Sequence, residues 1–180
     1  MTEQDLVKGC IQENRKCQQE VFSRYAGKML AVCMRYARHH MEAEDVLQDA
    51  FIKVFDNIGQ FQFKGSLEGW IRRIVVNTAL KNIDRKSFSK EQIGVELTHF
   101  EEYPSDPSAY SHLQEEELMR LIRQLPDGYR VVFNLYAIEG YSHQEIADML
   151  GIQESTSRSQ LVKARKLLQT QVLALQKIAV

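Results

Sequence analysis

Polar and basic side chains recur every four residues in one stretch of the chain, at Arg73, Asn77, Lys81 and Arg85. On a helix this spacing keeps the four side chains on one slowly drifting face. Positive charges on such a face attract phosphate, and the amide of Asn77 can hydrogen-bond a nucleobase. The stretch therefore predicts a nucleic-acid contact, although the solvated face of a surface helix would show the same pattern.

Aromatic side chains accompany this basic face. Phe61 and Phe63 lie in a segment bounded by Gly59 and Gly65, and Trp70 follows on the predicted helix. Aromatic rings beside a basic helix can stack on unpaired bases. For the two phenylalanines, stacking and burial are both open, whereas we expect Trp70 to be a core residue.

A second candidate site lies towards the C-terminus, where residues 142–152 have the spacing of a helix-turn-helix. The small residue Ala147 stands where two helices approach closely, and Gly151 permits the turn four residues later. The next helix begins with hydroxyl, amide and guanidinium groups, which read base edges and phosphates in the major groove. We expect this unit to bind DNA, the alternative being a plain structural helical hairpin.

Acidic side chains dominate residues 42–56, which hold five acidic groups and one basic group. His39, His40, Glu42 and Glu44 could ligate a metal, but di-metal sites in helical bundles need Glu-x-x-His pairs on facing helices. This segment holds no such pair, so we expect no metal. We interpret the segment as a negatively charged helix that docks a basic partner protein.

These candidate sites require helices, and apolar residues do recur at helical spacing over 46–58 and 67–78, with Ser66 as a predicted N-cap. All three prolines lie beyond residue 103, which leaves the first half free to be helical. Further helices are predicted at about 118–125, 131–138, 142–150 and 154–173. No alternating strand pattern appears.

Periodicity is lost between the two sets of helices, where serine, glycine and proline accumulate over residues 87–113. Such a stretch is typical of a flexible linker. The predicted fold class is therefore all-α, with two small helical domains. The N-terminal helical bundle spans 1–86, the linker spans 87–113, and the C-terminal helix-turn-helix domain spans 114–180.

The formal net charge of −1 hides an uneven distribution of charge. Residues 155–180 hold five basic groups and no acidic one, and residues 64–90 hold seven basic and two acidic groups. The linker holds one basic and five acidic groups. Basic clusters are the electrostatic footprint of phosphate binding, so near-neutrality does not exclude nucleic acid.

Composition excludes several other classes of protein. A 180-residue chain with 44% hydrophobic and 26% charged residues is neither disordered nor fibrous. No apolar run approaches the roughly 18 residues that span a bilayer, and the acidic N-terminus lacks a secretory signal pattern. Cys10, Cys17 and Cys33 form an odd set without C-x-x-C, which favours a reducing compartment. We expect a cytoplasmic protein that does not insert into the membrane.

Three motifs in this order resemble the extracytoplasmic-function (ECF) sigma factors, the compact two-domain group of the sigma factor superfamily. They are the acidic segment 45–51, the segment 69–77 that contains Trp70 and Asn77, and the helix-turn-helix at 142–160. The resemblance covers nearly the whole chain. It implies a promoter-specificity subunit of bacterial RNA polymerase that is not itself an enzyme and needs no cofactor.

The resemblance also implies roles for individual residues. The first domain would bind the clamp helices of core polymerase and melt the −10 element, and the second would bind the flap and read the −35 element. Core contacts would come from Asp45, Gln48, Asp49 and Phe51. Contacts to the −10 element would come from Phe61, Phe63, Lys64, Arg72, Arg73, Asn77 and Lys81, with Asn77 engaging a flipped base in a pocket supplied by residues 59–66. Contacts to the −35 element would come from Thr156, Arg158, Ser159, Gln160, Lys163 and Arg165.

Two positions depart from the family pattern. Where this chain has Ser157 the family usually has an apolar β-branched residue, and where it has Gln160 the family often has arginine. We expect the first departure to loosen the helix-turn-helix and the second to alter the −35 contacts.

The resemblance further implies that an anti-sigma factor holds the free, monomeric protein inactive. Two rival interpretations come from the residues alone. One is a stand-alone helix-turn-helix regulator whose N-terminal helical domain senses a ligand. The other is a metal-dependent helical enzyme fused to a DNA-binding module.

Overall fold

A computed structural model describes residues 1–83 and 115–178, and throughout these ranges the regular structure is helical, without strands. The chain divides into two compact units, with the boundary after Ile83. The all-α class predicted from the sequence is confirmed. Arg85 and the predicted linker 87–113 lie outside the described residues.

The first unit contains four α-helices and one short 3₁₀ helix. Their bounds are α1 Glu3–Ile11, α2 Arg15–Tyr36, α3 His40–Asn57, the 3₁₀ helix Ile58–Gln60, and α4 Leu67–Asn82. The helices α2, α3 and α4 pack against one another, and α1 packs on α2. The predicted apolar stripe of α3 faces this core, because Val46, Ala50 and Val54 are all buried.

Side chains fix where the helices of the first unit begin. The Thr2 hydroxyl accepts a hydrogen bond from the Asp5 amide at the start of α1, and Asn14 caps α2 in the same way. The Ser66 hydroxyl accepts from the Gly69 amide at 3.1 Å, which confirms the predicted cap of α4. Each cap satisfies a backbone donor that has no partner within its helix.

The second unit contains the remaining helices of the described chain. Their bounds are α5 Glu115–Gln124, α6 Asp127–Phe133, a π-helical turn Asn134–Ile138, α7 His143–Leu150, and α8 Glu154–Ile178. Buried side chains of α5 and α8, among them Ile122, Ala164 and Leu168, form one apolar cluster. The periodicity at 131–138 predicted a simple helix, whereas the chain there widens from α6 into the π turn.

The helix-turn-helix geometry follows from two local signals. Ser142 and Glu145 form a reciprocal capping box at the start of α7. Gly151 ends α7 in the left-handed conformation with φ 66°, where a side chain would be strained. The predicted turn between α7 and α8 is thereby confirmed.

Candidate nucleic-acid interface

A concave pocket of about 250 Å³ opens beside Asn77 in the first unit. Its walls come from the C-terminal half of α3, from the 3₁₀ helix and from α4. The lining residues are Lys53, Asn57, Gln60, Trp70, Ile74, Asn77, Thr78 and Lys81. Asn77 is thus placed on the wall of a cavity, but of the predicted loop 59–66 only Gln60 contributes to that cavity.

Hydrogen bonds hold the polar wall of this pocket in place. Lys53 donates from Nζ to the Thr78 hydroxyl at 3.2 Å, and that hydroxyl donates to the Ile74 carbonyl at 2.8 Å. Asn57 donates to the Lys53 carbonyl at 2.8 Å and accepts from the Gln60 amide at 3.0 Å. These bonds tie α3 to α4 and fix the amide groups of Asn57 and Gln60 at the cavity.

The predicted aromatic set divides between core and surface. Phe61 is buried, and its ring packs against Phe63 with centroids 4.8 Å apart and against Trp70 at 5.7 Å. Phe61 therefore does not offer a stacking face, which corrects its prediction as a DNA contact. Phe63 is 46% exposed and has a left-handed backbone with φ 57°, so its ring rests partly on Phe61 and partly faces solvent.

The basic residues of α4 differ in exposure. Arg73, Asn77 and Lys81 are exposed and share one face, as their four-residue spacing predicted. Arg72 is half-buried, and Lys64 is exposed in the segment before α4. The exposed members therefore present their polar or charged ends to solvent.

The acidic helix α3 presents Asp45, Gln48 and Asp49 to solvent, as predicted. Phe51, by contrast, is buried, at 3% exposed, with its ring edge-on to Phe22 at 4.8 Å. Its prediction as a core-polymerase contact is therefore wrong in this structure.

An apolar side chain that the sequence analysis missed shares the exposed face of α3. Ile52 is 60% exposed and lies three and four residues beyond Asp49 and Gln48, which places it beside them. The signal was available in the sequence, because Ile52 falls outside the apolar stripe of α3.

The helix α8 exposes Arg158, Ser159 and Arg165, with Thr156 and Lys163 half-buried. Arg158 pairs with Glu154 one turn earlier. Gln160, however, is only 6% exposed, because it lies on the same side of α8 as the buried Ser157 and Ala164. The prediction of Gln160 as a direct −35 contact is therefore wrong in this structure.

Ser157 is fully buried and joins α8 to α7. Its hydroxyl lies 2.9 Å from Nδ1 of His143, whose ring stacks on Tyr136 with centroids 4.5 Å apart. The Arg165 guanidinium lies over the other residue of that stack, 5.7 Å from the Tyr136 centroid. Ser157 was expected to loosen the helix-turn-helix, but its hydroxyl instead forms a polar contact between α7 and α8.

His143 itself was not among the predicted site residues. Burial lowers its pKa below the usual value of 6.5, and the positive charges of Arg158 and Arg165 act in the same direction, while Glu154 opposes them. The imidazole is therefore held towards its neutral form between the two helices.

Neither a metal site nor a membrane span is present in the described residues. No group of three or more histidine, cysteine, aspartate or glutamate side chains there is arranged to hold a metal. Nor does any helix within 1–83 or 115–178 combine the length and apolar character needed to cross a membrane.

The two units define a modular helical DNA-binding protein whose second unit is a helix-turn-helix. The family model for Sigma-70 region 2 matches residues 21–88, and the model for Sigma-70, region 4 matches residues 115–168. The chain belongs to the sigma-70 family, as an extracytoplasmic-function (ECF) RNA polymerase sigma factor. The resemblance read from the motifs is confirmed, and so is the role of promoter-specificity factor.

Curated relatives align over almost the whole chain. The RNA polymerase sigma-H factor of Pseudomonas aeruginosa is 26% identical, over 91% of this chain and 90% of its own. The ECF RNA polymerase sigma factor SigW of Bacillus subtilis is 28% identical, over 93% of this chain and 97% of its own.

Solved structures share the fold at lower identity. The sigma factor RpoE from Bartonella quintana, in complex with the anti-sigma factor NepR, is 21% identical with a TM-score of 0.53, covering 87% of this chain and 96% of that one. CnrH in complex with the cytosolic domain of CnrY is 18% identical with a TM-score of 0.50, covering 94% and 96%.

Proposed function

We propose that this sigma factor divides its work among three surfaces. The exposed acidic face of α3 binds core polymerase, the pocket beside Asn77 takes an unpaired −10 base, and the exposed face of α8 reads the −35 duplex. The observation that carries this assignment is the pocket, because a cavity walled by Asn77 and flanked by Lys81 suits one extruded base and not a duplex.

The pocket supports base capture through its chemistry. Asn57, Gln60 and Asn77 bring amide groups to one small cavity, and amides can both donate to and accept from a base edge. Lys53 and Lys81 add positive charge at the same place, which favours the flanking phosphates. A base held there is lost from the duplex stack, so the binding energy drives melting.

The face of α3 supports docking to a basic protein surface. Asp45 and Asp49 supply negative charge, Gln48 supplies hydrogen bonds, and the exposed Ile52 supplies an apolar contact. Buried apolar contacts ringed by complementary charge are typical of protein interfaces. We propose that this surface meets the clamp helices of the polymerase, and that the second unit meets the flap.

The face of α8 supports duplex reading. Arg158 and Ser159 lie in its first two turns, which are the part of a recognition helix that enters the major groove. Lys163 and Arg165 follow, and a guanidinium or ammonium group there can neutralise phosphates. Thr156 is half-buried near the N-terminal end of α8, where its hydroxyl is close to the same groove.

We propose domains at 1–86 and 114–180, joined by the acidic stretch 87–113. Neither domain needs tight DNA binding of its own, because a partner that fixes their spacing turns the second contact into an intramolecular one. The free protein is proposed to be a cytoplasmic monomer without enzymatic activity. We also propose an anti-sigma partner, as the sigma factor RpoE from Bartonella quintana has in its complex with NepR.

Run-off transcription with core polymerase tests the proposal. Adding this protein should produce discrete transcripts from a subset of genomic fragments, and omitting it should abolish them. A stand-alone regulator would instead bind those fragments tightly without polymerase. Absence of any promoter-specific transcript would overturn the proposal.

A further inference from the structure

An apolar side chain lies exposed in the middle of the basic helix α8. Val162 is 50% exposed, whereas the nearest apolar residues before and after it in the sequence, Leu161 and Ala164, are buried. Among the described residues of the second unit, one other large apolar side chain is comparably exposed, Tyr136, and its ring is flanked by His143 and Arg165.

The register places Val162 on the same face as the polar residues proposed to touch DNA. Ser155, Arg158, Ser159 and Val162 stand at positions i, i+3, i+4 and i+7, and all four are exposed. This spacing makes one continuous stripe along a helix. Val162 therefore continues the stripe by one turn beyond Ser159.

The major groove offers one apolar group to a side chain in that position, the 5-methyl group of thymine. The other base edges present hydrogen-bond donors and acceptors, which the isopropyl group of Val162 cannot satisfy. We propose that Val162 reads a thymine methyl in the −35 element, and so sets a preference for thymine at that position. This inference rests on the proposed function, since it requires α8 to enter the −35 duplex.

Replacing thymine with uracil provides the test, because the two bases differ only by this methyl group. The probe is a duplex enriched by the holoenzyme from a pool randomised across the −35 region. Each thymine of that region is replaced by deoxyuridine in turn, and holoenzyme affinity is measured for wild type and for Val162→Ala. Thr170→Ala, an exposed change two turns further along α8, is the matched control.

Wild type and Thr170→Ala should lose about three- to tenfold in affinity at one thymine when its methyl is removed, as expected for one buried methyl contact. Val162→Ala should bind the thymine duplex more weakly by a similar factor and should no longer distinguish uracil at that position. Val162→Ile should retain the distinction, which separates methyl reading from a general loss of folding.

Two results would overturn the inference while leaving the proposed function intact. One is that the holoenzyme enriches a −35 sequence but no single uracil replacement weakens binding. The other is that uracil weakens Val162→Ala as much as wild type, which would assign the methyl contact to another side chain. Failure to enrich any −35 sequence would instead overturn the proposed function and this inference together.

Discussion

The two units present their proposed DNA contacts in opposite shapes. In the first unit the polar groups line a concavity between α3 and α4, held by hydrogen bonds such as Lys53 to Thr78. In the second unit they stand on the convex outer face of one helix, where Arg158 and Ser159 are exposed. A concave site can enclose a single base, whereas a convex helix can enter a groove of the duplex.

This difference shows that similar basic clusters in the sequence can belong to surfaces suited to different kinds of DNA binding. Both stretches carry an excess of positive charge, but the first borders a cavity lined by amide groups, whereas the second lies along an exposed helix face. The first unit is therefore suited to strand separation, and the second to reading paired DNA. Mutations should separate these two functions cleanly.

The largest effect is expected from charge reversal on the face of α3. Asp49→Lys puts a positive charge on an exposed surface proposed to meet a basic partner, so like charges would face each other in the complex. Binding to core polymerase, measured by fluorescence anisotropy of the labelled sigma factor, should weaken about tenfold or more. Glu13→Lys makes the same reversal on an exposed acid in the turn between α1 and α2, outside α3, and should leave core binding close to wild type. Equal losses for both variants would contradict a specific core contact on α3.

Asn77→Ala comes next, because it removes an amide from the pocket wall without touching α8. An unpaired base would lose a hydrogen bond in a partly enclosed site, which costs about 1–3 kcal/mol. Permanganate reactivity of −10 thymines should report slower melting by about tenfold, with affinity for core unchanged. Asn82→Ala, an exposed asparagine at the end of the same helix, should melt promoters normally. Normal melting by Asn77→Ala would remove the distinction between the concave and convex sites.

Arg158→Ala tests the convex site. If the guanidinium contacts a base edge, discrimination at one −35 position should fall by about 1–3 kcal/mol. Competition binding of the holoenzyme to duplexes altered at each −35 position measures this. A loss of similar size on every duplex would instead make Arg158 a phosphate contact.

Because Arg158 pairs with Glu154 in the free protein, Glu154→Gln should strengthen DNA binding modestly.

Helical periodicity made much of this fold predictable. The apolar stripes of α3 and α4 and the Ser142 and Gly151 signals each depend on local spacing, so they are legible in the sequence. Gln160 and Phe51 show where assignment by residue type failed. A polar type suggested exposure for Gln160, and position in a family motif suggested it for Phe51, but helix register decides burial, and both fall on buried faces.

The features that could not be predicted from the sequence depend on tertiary packing. The pocket beside Asn77 forms where the end of α3 packs near α4, and no local sequence pattern predicts that packing. The π turn Asn134–Ile138 and the His143–Ser157 link likewise depend on how α6, α7 and α8 come together. The site residues were thus predictable as a set, while their cavity and supporting contacts were not.

The smallest expected effect concerns the interior of the second unit. His143 has a pKa below its usual value of 6.5 in the folded protein, chiefly through burial, so the unfolded chain binds a proton more readily than the native one. The free energy of unfolding should therefore fall as the pH drops through 6.5 towards the lower folded-state pKa, and level off below it. Thermal unfolding of the whole protein between pH 5 and 8 measures this trend, and His143→Asn, which keeps a polar atom near Ser157, should flatten it. Subtracting the pH trend of the variant from that of wild type cancels the contribution of the histidines that both proteins share, among them the exposed His39 and His40 of the first unit. An unchanged pH trend in the variant would show that the polar link between α7 and α8 does not depend on a neutral imidazole.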